Sequence, residues 1–190
     1  MTLHLVRHGR PSVVPGVPAA EWNLDLATYD DVWALRDRLP RRAAWYCSPE
    51  PKAVETAQLL TDADVGIVED LREHERGGEW FDDFPAVVRR AFAEPEVPAV
   101  RSWEPLVACR TRVVAAVRRI LAVHGSDDLV LVGHGTAWTL VVAELTGSEP
   151  DLHAWAALGM PDVWTVSGPD NLSGSSSQRR GAEDRPDARP

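Results

Sequence analysis

The sequence has few cysteines and almost no lysine. Only two of its 190 residues are cysteine, Cys47 and Cys109, which is too few for a disulfide framework and is typical of a protein of the reducing cytosol. A single domain of this length buries roughly 70% of the surface that its unfolded chain exposes, so that no disulfide or metal is needed to hold it together. We therefore expect a cytoplasmic protein that folds around an apolar core.

The chain also lacks long apolar runs and an excess of positive charge. No run approaches the ~18 consecutive apolar residues of a membrane span, and Arg7 and His8 interrupt the N-terminal apolar residues, so that no secretion signal is expected. The formal charge of −9 disfavours binding to nucleic acid or to an anionic membrane, because both require a basic surface. Any bound anion must therefore be held by a local cluster of cations.

The C-terminal segment is poor in apolar residues. Residues 168–190 contain one large apolar side chain, Leu172, together with four acidic residues and four arginines. Such a composition buries too little apolar surface to offset the entropy lost on ordering. We expect a folded domain over residues 1–167 and a disordered tail over residues 168–190.

Short apolar runs alternate with helical patterns over the first 167 residues. Strands are predicted at residues 3–6, 43–47, 65–68, 129–132 and 163–166, and helices at 28–39, 51–60, 84–93, 105–123, 136–145 and 151–158. This alternation predicts an α/β fold, a three-layer sandwich with a mostly parallel central sheet and helices on both faces. In such folds the ligand lies outside the carboxyl ends of the strands.

Two predicted strands end in the same kind of turn. Arg7-His8-Gly9 follows the first strand and Gly133-His134-Gly135 follows a later one. A histidine at a strand end can present one ring nitrogen as a nucleophile while the other donates to a carbonyl oxygen. The neighbouring arginine has a fork of donors that suits phosphate oxygens. Both turns are expected to open onto one edge of the sheet.

A serine-proline turn precedes the predicted helix at 51–60. The N–H groups of a helix N-terminus attract anions, and Lys52, the only lysine in the chain, lies in that first turn. By itself Lys52 is more simply read as a solvated helix charge.

The segment after the third predicted strand is strongly acidic. Glu73 or Glu75 could serve as a general acid, and the like charges around Glu73 are expected to favour its protonated form. A metal site at Glu73-His74-Glu75 is disfavoured, because adjacent residues on an extended segment point to alternate sides and the spacing of known metal motifs is absent. No metal or cofactor is expected.

Four motifs in order resemble the histidine phosphatase superfamily, whose fold is that of phosphoglycerate mutase. They are strand–Arg-His-Gly, Ser-Pro–helix–Thr-Ala, Leu-x-Glu-x-x-x-Gly and strand–Gly-His-Gly, and they cover about residues 2–167. The resemblance implies that His8 is the phosphate-accepting nucleophile, that Glu73 is the proton donor, and that Arg7 and His134 bind the phosphoryl oxygens. Glu73 matches the family spacing better than Glu75 does.

The chain departs from this family pattern at two places. Lys52 stands where the family usually has an arginine, which replaces a bidentate fork by a point charge, and it is expected to bind the phosphoryl oxygens together with Arg7 and His134. The residues after Gly9 lack the usual threonine and nearby asparagine, and Arg10 is a candidate for replacement charge.

The activity that the resemblance implies is hydrolysis of a phosphomonoester through a phosphohistidine, with a small phosphorylated metabolite as substrate. The compact cap, about residues 74–105, favours a phosphatase over a mutase, since mutases of the family generally carry longer insertions. A phosphoglycerate mutase-type phosphomutase, a protein phosphohistidine phosphatase and a non-catalytic phosphate-binding module remain alternatives. The candidates for substrate selection by the cap are Arg76, Trp80, Phe81, Arg89 and Arg90.

Overall fold

A single five-stranded sheet organises the part of the chain, residues 1–168, that the computed structural model describes. The predicted tail, apart from Gly168, lies outside the described residues. The strands are β1 (Thr2–Arg7), β2 (Ala44–Cys47), β3 (Val65–Ile67), β4 (Leu129–Gly133) and β5 (Asp162–Ser167). All five lie where the sequence predicts them, within one residue at either end.

The strand order is β3-β2-β4-β1-β5. The pairs β2–β3, β2–β4 and β1–β4 are parallel, whereas the edge strand β5 runs antiparallel to β1. In the β1–β4 register, Arg7 lies opposite Gly133. The carboxyl ends of these two strands are therefore adjacent, and the residues that follow them emerge side by side.

Helices cover both faces of the sheet, which confirms the predicted fold class. The α-helices are α1 (Tyr29–Ala34), α2 (Pro51–Leu60), α3 (Phe84–Ala93), α4 (Leu106–His124), α5 (Gly135–Thr146) and α6 (Leu152–Ala157). Short 3₁₀ helices lie at Ala19–Glu21, Leu26–Thr28, Leu35–Arg38 and Glu69–Leu71. The helix predicted at 28–39 is thus an α-helix of six residues between two 3₁₀ turns, a tightening that is common at helix ends. No described helix is long and apolar enough to span a membrane.

The strand residues alternate between two cores. Leu3 and Leu5 of β1 pack with α4 and α5 on one face, and Val6 packs with α1 and α2 on the other. The same alternation along β4 places Leu129 and Leu131 in the first core and Val130 and Val132 in the second. Because side chains of a strand point alternately to the two faces, the continuous apolar runs of β1 and β4 indicate strands buried on both sides.

The cap, defined as residues 74–105, packs over the end of this sandwich. Its buried residues Val88, Ala91, Ala99 and Trp103 form a third cluster with residues of α4 and α5. The cap and the carboxyl ends of the strands therefore face a common space.

Candidate active site

The site lies where three neighbouring strands end. The N–H of His8 donates to the Gly133 carbonyl (2.9 Å), and the N–H of Ser48, after β2, donates to the Val132 carbonyl (2.9 Å). These bonds continue the sheet ladder by one residue beyond the strands. They bring His8, Ser48 and His134 together at one edge, as the strand-end rule predicts.

The His8 ring is fixed by its own turn. Nδ1 lies 2.6 Å from the Gly9 carbonyl oxygen, and since a carbonyl oxygen only accepts, Nδ1 carries the proton. Burial lowers the pKa of His8 well below its usual value, and His134 and Lys52 lower it further. The ring is therefore neutral at neutral pH, and its Nε2 has a free lone pair.

Gly9 holds this turn against the layer of α1 and α2. Its N–H donates to Oγ1 of Thr56 (3.1 Å). A Cβ at Gly9 would lie 2.7 Å from a methyl carbon of Val32 and 2.8 Å from one of Leu24. Only glycine permits this approach, so that the glycine of the Arg-His-Gly motif determines where the histidine lies.

His134 is completely buried beside His8. The two ring centroids are 5.2 Å apart in an edge-to-face arrangement. Nε2 of His134 lies 2.7 Å from Oγ of Ser48 and 3.4 Å from Oε1 of Glu50. Burial lowers the pKa of His134 to about 3, so that this ring is also neutral.

The Arg7 guanidinium lies at the entrance to the two histidines. Its Nη1 donates to the carbonyl oxygens of Leu158 (3.0 Å) and Gly159 (3.2 Å), which follow α6. A Cβ at Gly135 would lie 3.2 Å from Nε of Arg7, so that this glycine lets the guanidinium lie against the start of α5. The Nε group is buried and has no partner.

Lys52 is not a solvated charge on the helix, which is the simplest interpretation of its position in the sequence. Its side chain is buried, and Nζ forms a very short ion pair with Glu50 and donates to the Ala19 carbonyl (2.6 Å). Nor does the first turn of α2 offer free donors. Pro51 has no N–H, and the Lys52 N–H donates to the Trp22 carbonyl (3.2 Å).

Glu50 is the site residue that the sequence analysis missed. This buried carboxylate contacts Lys52 and His134, two of the three residues expected to bind phosphate oxygens. It also accepts the N–H of Glu73 (2.7 Å). The only signal in the sequence was a charged residue between Pro49 and Pro51. The direction of its side chain depends on the pairing of β2 with β4, which the sequence alone does not give.

Glu73 lies at the N-terminus of α5. Its two carboxylate oxygens accept N–H groups of Thr136 (3.1 Å), Ala137 (3.0 Å) and His74 (2.9 Å). Burial by itself raises the pKa of Glu73, but Arg76 and these N–H donors outweigh it and lower the pKa to about 2. The expectation of a protonated Glu73 was therefore wrong, because it considered the acidic neighbours in sequence and not the donors that the fold supplies.

Two other residues named from the sequence lie differently. Glu75 is exposed and pairs with Arg72 (2.6 Å), although it lines the same cavity as Glu73. Arg10 pairs with Asp25 (3.2 Å) outside that cavity, so that it does not supply replacement charge. Within residues 1–168 no three histidine, cysteine or carboxylate side chains are grouped as metal ligands would be.

The residues of the candidate active site line a cavity of about 600 Å³. Arg76, Trp80 and Phe81 of the cap line it, as anticipated, whereas Arg89 and Arg90 are exposed and take no part. The guanidinium of Arg76 lies over the adjacent rings of Phe84 (5.0 Å) and Trp103 (5.1 Å). Neither aromatic residue was named from the sequence, since nothing in their spacing links them to Arg76.

Buried polar atoms without a partner are concentrated in this cavity. Among the described residues there are five such side-chain atoms, and every one belongs to a residue that lines it: Arg7 Nε, His74 Nδ1, Arg76 Nε, Trp103 Nε1 and His134 Nδ1. An unsatisfied buried polar group costs ~1–3 kcal/mol. Their concentration at one place is typical of a site built for a polar ligand.

Fold and site together define an α/β protein with cationic side chains around a neutral histidine at the carboxyl ends of its strands. The chain belongs to the histidine phosphatase superfamily, branch 1, whose family model matches residues 3–166. This confirms the resemblance carried by the four motifs, and membership of the superfamily supports phosphatase activity. No curated protein matches the sequence significantly.

Solved structures show the same fold at low sequence identity. A phosphoserine phosphatase mutant from Entamoeba histolytica, in complex with phosphoserine, has a TM-score of 0.70 at 17% identity, over 86% of this chain and 89% of that one. A mycobacterial glucosyl-3-phosphoglycerate phosphatase has 0.68 at 19%, over 86% and 88%. The Bacillus stearothermophilus protein YhfR has 0.71 at 24%, over 88% and 92%.

Proposed function

We propose that this protein hydrolyses phosphomonoesters, with His8 as the nucleophile and a phosphohistidine as the intermediate. The observation that carries the proposal is the 2.6 Å contact between Nδ1 of His8 and the Gly9 carbonyl oxygen. It leaves Nε2 unprotonated, in a ring whose pKa is well below neutrality. A nucleophile must be unprotonated and held in place before the substrate arrives, and both conditions are met.

Donors around His8 support a phosphoryl group as its target. Nε of Arg7 and Nε of Arg76 are buried N–H groups without partners, and both line the cavity onto which His8 opens. Lys52 and His134 become further donors when each exchanges Glu50 for a phosphate oxygen. These donors, of which only His134 is uncharged, stabilise the charge that spreads over the equatorial oxygens in the transition state.

In the first step the Nε2 lone pair of His8 attacks phosphorus. The bond between phosphorus and the ester oxygen breaks, and Glu73 donates a proton to the departing alkoxide. Glu73 is ionised in the free protein, since its pKa is about 2, so that the proton must come with the substrate. A phosphomonoester bound as its monoanion brings one proton, and the negative charge of its phosphoryl group raises the pKa of Glu73, so that the proton can pass to Glu73.

In the second step water attacks the phosphohistidine. The bond between phosphorus and Nε2 breaks, its electron pair returns to the ring, and Glu73 accepts a proton from the water. Glu73 passes this proton to the departing phosphate, which leaves as its monoanion, so that the enzyme returns to its initial protonation state. An ionised Glu73 held at the N-terminus of α5 suits this role of base without further adjustment.

The proposal is tested with p-nitrophenyl phosphate and alkyl phosphates in the presence of a chelator. We expect turnover by the wild type and its loss in His8→Ala. The matched control is His153→Ala, because His153 is an exposed histidine of α6 outside the cavity. A stable phosphoprotein labelled at His8 is expected in Glu73→Gln, in which the base of the second step is missing.

The alternatives give different results in the same experiment. A phosphomutase transfers the label from the phosphoprotein to an added acceptor alcohol faster than to water. A protein phosphohistidine phosphatase turns over a phosphohistidine peptide and leaves the esters untouched. A folded wild type that binds phosphate but forms no phosphoprotein is a binding module, and full activity in His8→Ala excludes the proposed nucleophile.

A further inference from the structure

The two ends of the cavity differ in chemistry. At one end lie His8, His134 and the cations that the proposed function assigns to the phosphoryl group. The rest of the wall is formed by the loop of residues 11–22 and by the cap, and its side chains are mainly apolar. They are Pro11, Val13, Val14, Pro15, Val17, Ala19, Ala20 and Trp22 from the loop, Trp80, Phe81, Phe84 and Trp103 from the cap, and Met160.

The loop forms a fixed wall. Nε1 of Trp22 donates to the Val17 carbonyl (3.1 Å), and the Val17 N–H donates to the Val14 carbonyl (3.2 Å). The Trp22 carbonyl in turn accepts the N–H of Lys52 at the start of α2. The apolar side chains of the loop are thereby held beside the phosphoryl end before any ligand binds.

Large apolar side chains are exposed at the mouth of this cavity. Of nine exposed large hydrophobic residues within residues 1–168, four line the cavity: Val13, Val14, Trp80 and Met160. Trp80 is 69% exposed, although a tryptophan gains more than most residues from burial. Single exposed apolar residues are ordinary, but several around one opening mark a binding surface.

The charges in the cavity do not favour a second anionic group on the ligand. Among the described residues that line it, four are cationic and five are carboxylates: Arg7, Lys52, Arg72 and Arg76 against Glu50, Glu69, Glu73, Glu75 and Glu79. Away from the phosphoryl end, Arg72 is already paired with Glu69 and Glu75. A substrate with a carboxylate or second phosphate in its alcohol part would meet excess negative charge there.

We infer that the physiological substrate is a phosphate monoester whose alcohol part is apolar, aliphatic or aromatic, and carries no second charge. The inference rests on the proposed function, which places the phosphoryl group at His8. A volume of about 600 Å³ accommodates a molecule of ordinary drug size, and such sites are mostly apolar with a few polar groups at one end. Sugar phosphates and phosphorylated hydroxy acids leave the loop and the cap without complementary partners.

Primary alkyl phosphates isolate this property, because their leaving groups are chemically alike while their apolar area grows. We expect kcat/KM to rise roughly two- to fourfold for each added CH₂ from ethyl through butyl and hexyl to octyl phosphate, the range that corresponds to partial or complete burial of each group. Hexyl phosphate with a terminal carboxylate is expected to fall well below hexyl phosphate itself. Glycerol phosphate and glucose 6-phosphate are expected to be poor substrates.

Two pairs of variants test whether the dependence of kcat/KM on chain length arises at the apolar wall of the cavity. Val14→Asp and Trp80→Ala are expected to flatten the dependence on chain length, with a loss of kcat/KM that grows from ethyl to octyl phosphate. The controls make the same substitutions at exposed residues outside the cavity, Val123→Asp and Trp33→Ala, and should keep the wild-type dependence. Equal loss of activity in Val14→Asp and Val123→Asp, or in Trp80→Ala and Trp33→Ala, would contradict the assignment.

The result separates failure of this inference from failure of the proposed function. Turnover that does not change from ethyl to octyl phosphate, with His8→Ala inactive, leaves the phosphatase in place and overturns the apolar substrate class. If no ester is hydrolysed, binding of octylphosphonate and methylphosphonate is compared, and equal affinity overturns the inference as well. Octyl phosphate free in solution and phosphatidic acid in phosphatidylcholine vesicles then distinguish a dissolved substrate from a lipid headgroup.

Discussion

Two carboxylates of the site, Glu50 and Glu73, differ in the partners that hold their charge. Glu73 lies near Arg76 and accepts backbone N–H groups at the N-terminus of α5, which together keep it ionised. Glu50 instead pairs with Lys52 and contacts His134. At the scale of single residues, the proposed function therefore makes Glu73 available for proton transfer and makes Glu50 a competitor of the phosphoryl group for Lys52 and His134.

The lowered pKa of Glu73 determines how the rate should depend on pH. Because its pKa is about 2, Glu73 stays ionised from pH 5 upward, and the leaving-group proton must arrive on the substrate monoanion. The monoanion is lost above the second phosphate pKa of about 6, so that kcat/KM for an alkyl phosphate is expected to fall about tenfold per pH unit above it. A value that stays constant up to pH 8 would mean that Glu73 keeps its own proton.

A second prediction concerns the charge of Glu50. Glu50→Gln keeps the shape of the side chain but removes the charge that holds Lys52, so that inorganic phosphate should inhibit turnover roughly tenfold more strongly. Phosphate should also raise the Tm of this variant more than that of the wild type, since ligand binding stabilises the folded state. Inhibition constants and melting curves with and without phosphate measure both effects.

Lys52→Arg is the comparison for Glu50→Gln. It keeps the positive charge and the pairing with Glu50, and it should leave the inhibition constant for phosphate closer to that of the wild type. If Glu50→Gln does not change inhibition by phosphate, Lys52 is not a phosphate ligand.

At the scale of elements, the segment that carries Glu73 is held in place by α4. Arg112 of α4 donates to the carbonyl oxygens of Asp70, Arg72 and Glu73, at 2.9–3.2 Å, and pairs with Glu104 (2.6 Å). Arg112 and Glu104 are both mostly buried. One side chain thus joins α4, the end of the cap and the segment that carries Glu73.

Removal of Arg112 should therefore affect both stability and catalysis. We expect Arg112→Leu to lower the free energy of unfolding by about 3 kcal/mol, because Glu104 is left buried without its partner, and to lower kcat more than it raises KM. The control is Arg118→Leu, since Arg118 pairs with Glu144 on the surface of α4 and such pairs contribute less than about 1 kcal/mol. Urea unfolding measures the loss of stability, and steady-state kinetics measure the loss of kcat. If Arg112→Leu and Arg118→Leu show equal losses, Arg112 has no positioning role.

At the scale of the whole molecule, two of the three buried clusters share helices. Residues of α4 and α5 occur both in the core against β1 and β4 and in the cluster with the cap. The two cysteines lie in different clusters. Cys47 is in the core with α1 and α2, and Cys109 is in the cluster with the cap. Burial raises the pKa of the Cys47 thiol to about 11 and also raises the pKa of the Cys109 thiol.

These two thiols allow a test of cooperative unfolding. Because both are buried and protonated, neither should react with a thiol reagent at pH 8 until the chain unfolds. We expect Cys47→Ala and Cys109→Ala, each with one remaining thiol, to be labelled at rates that follow global unfolding in urea. Labelling of Cys109 ahead of circular dichroism loss would show instead that the cap opens separately.

Much of the fold was accessible from the sequence because it depends on local patterns. Continuous apolar runs identified buried strands, helical periodicity identified their neighbours, and the strand-end rule placed His8 and His134 at one edge. The long predicted helix at 28–39 was less regular in the structure, since its two ends tighten to 3₁₀ turns. What could not be predicted is which polar groups meet: Glu50 with Lys52, Glu73 with α5, and Arg112 with both the cap and Glu73.

The sequence by itself determined the α/β architecture, the family and the four motifs of the site, because each depends on residues that lie close together in the chain. Tertiary structure alone decided the charge state of Glu73 and the pairing of Lys52. Protonation depends on the burial and the donors within a few ångströms, and those donors come from residues up to 64 positions away in the chain. The apolar wall of the cavity was decided in the same way, because its two halves meet only when the cap packs on α4 and α5.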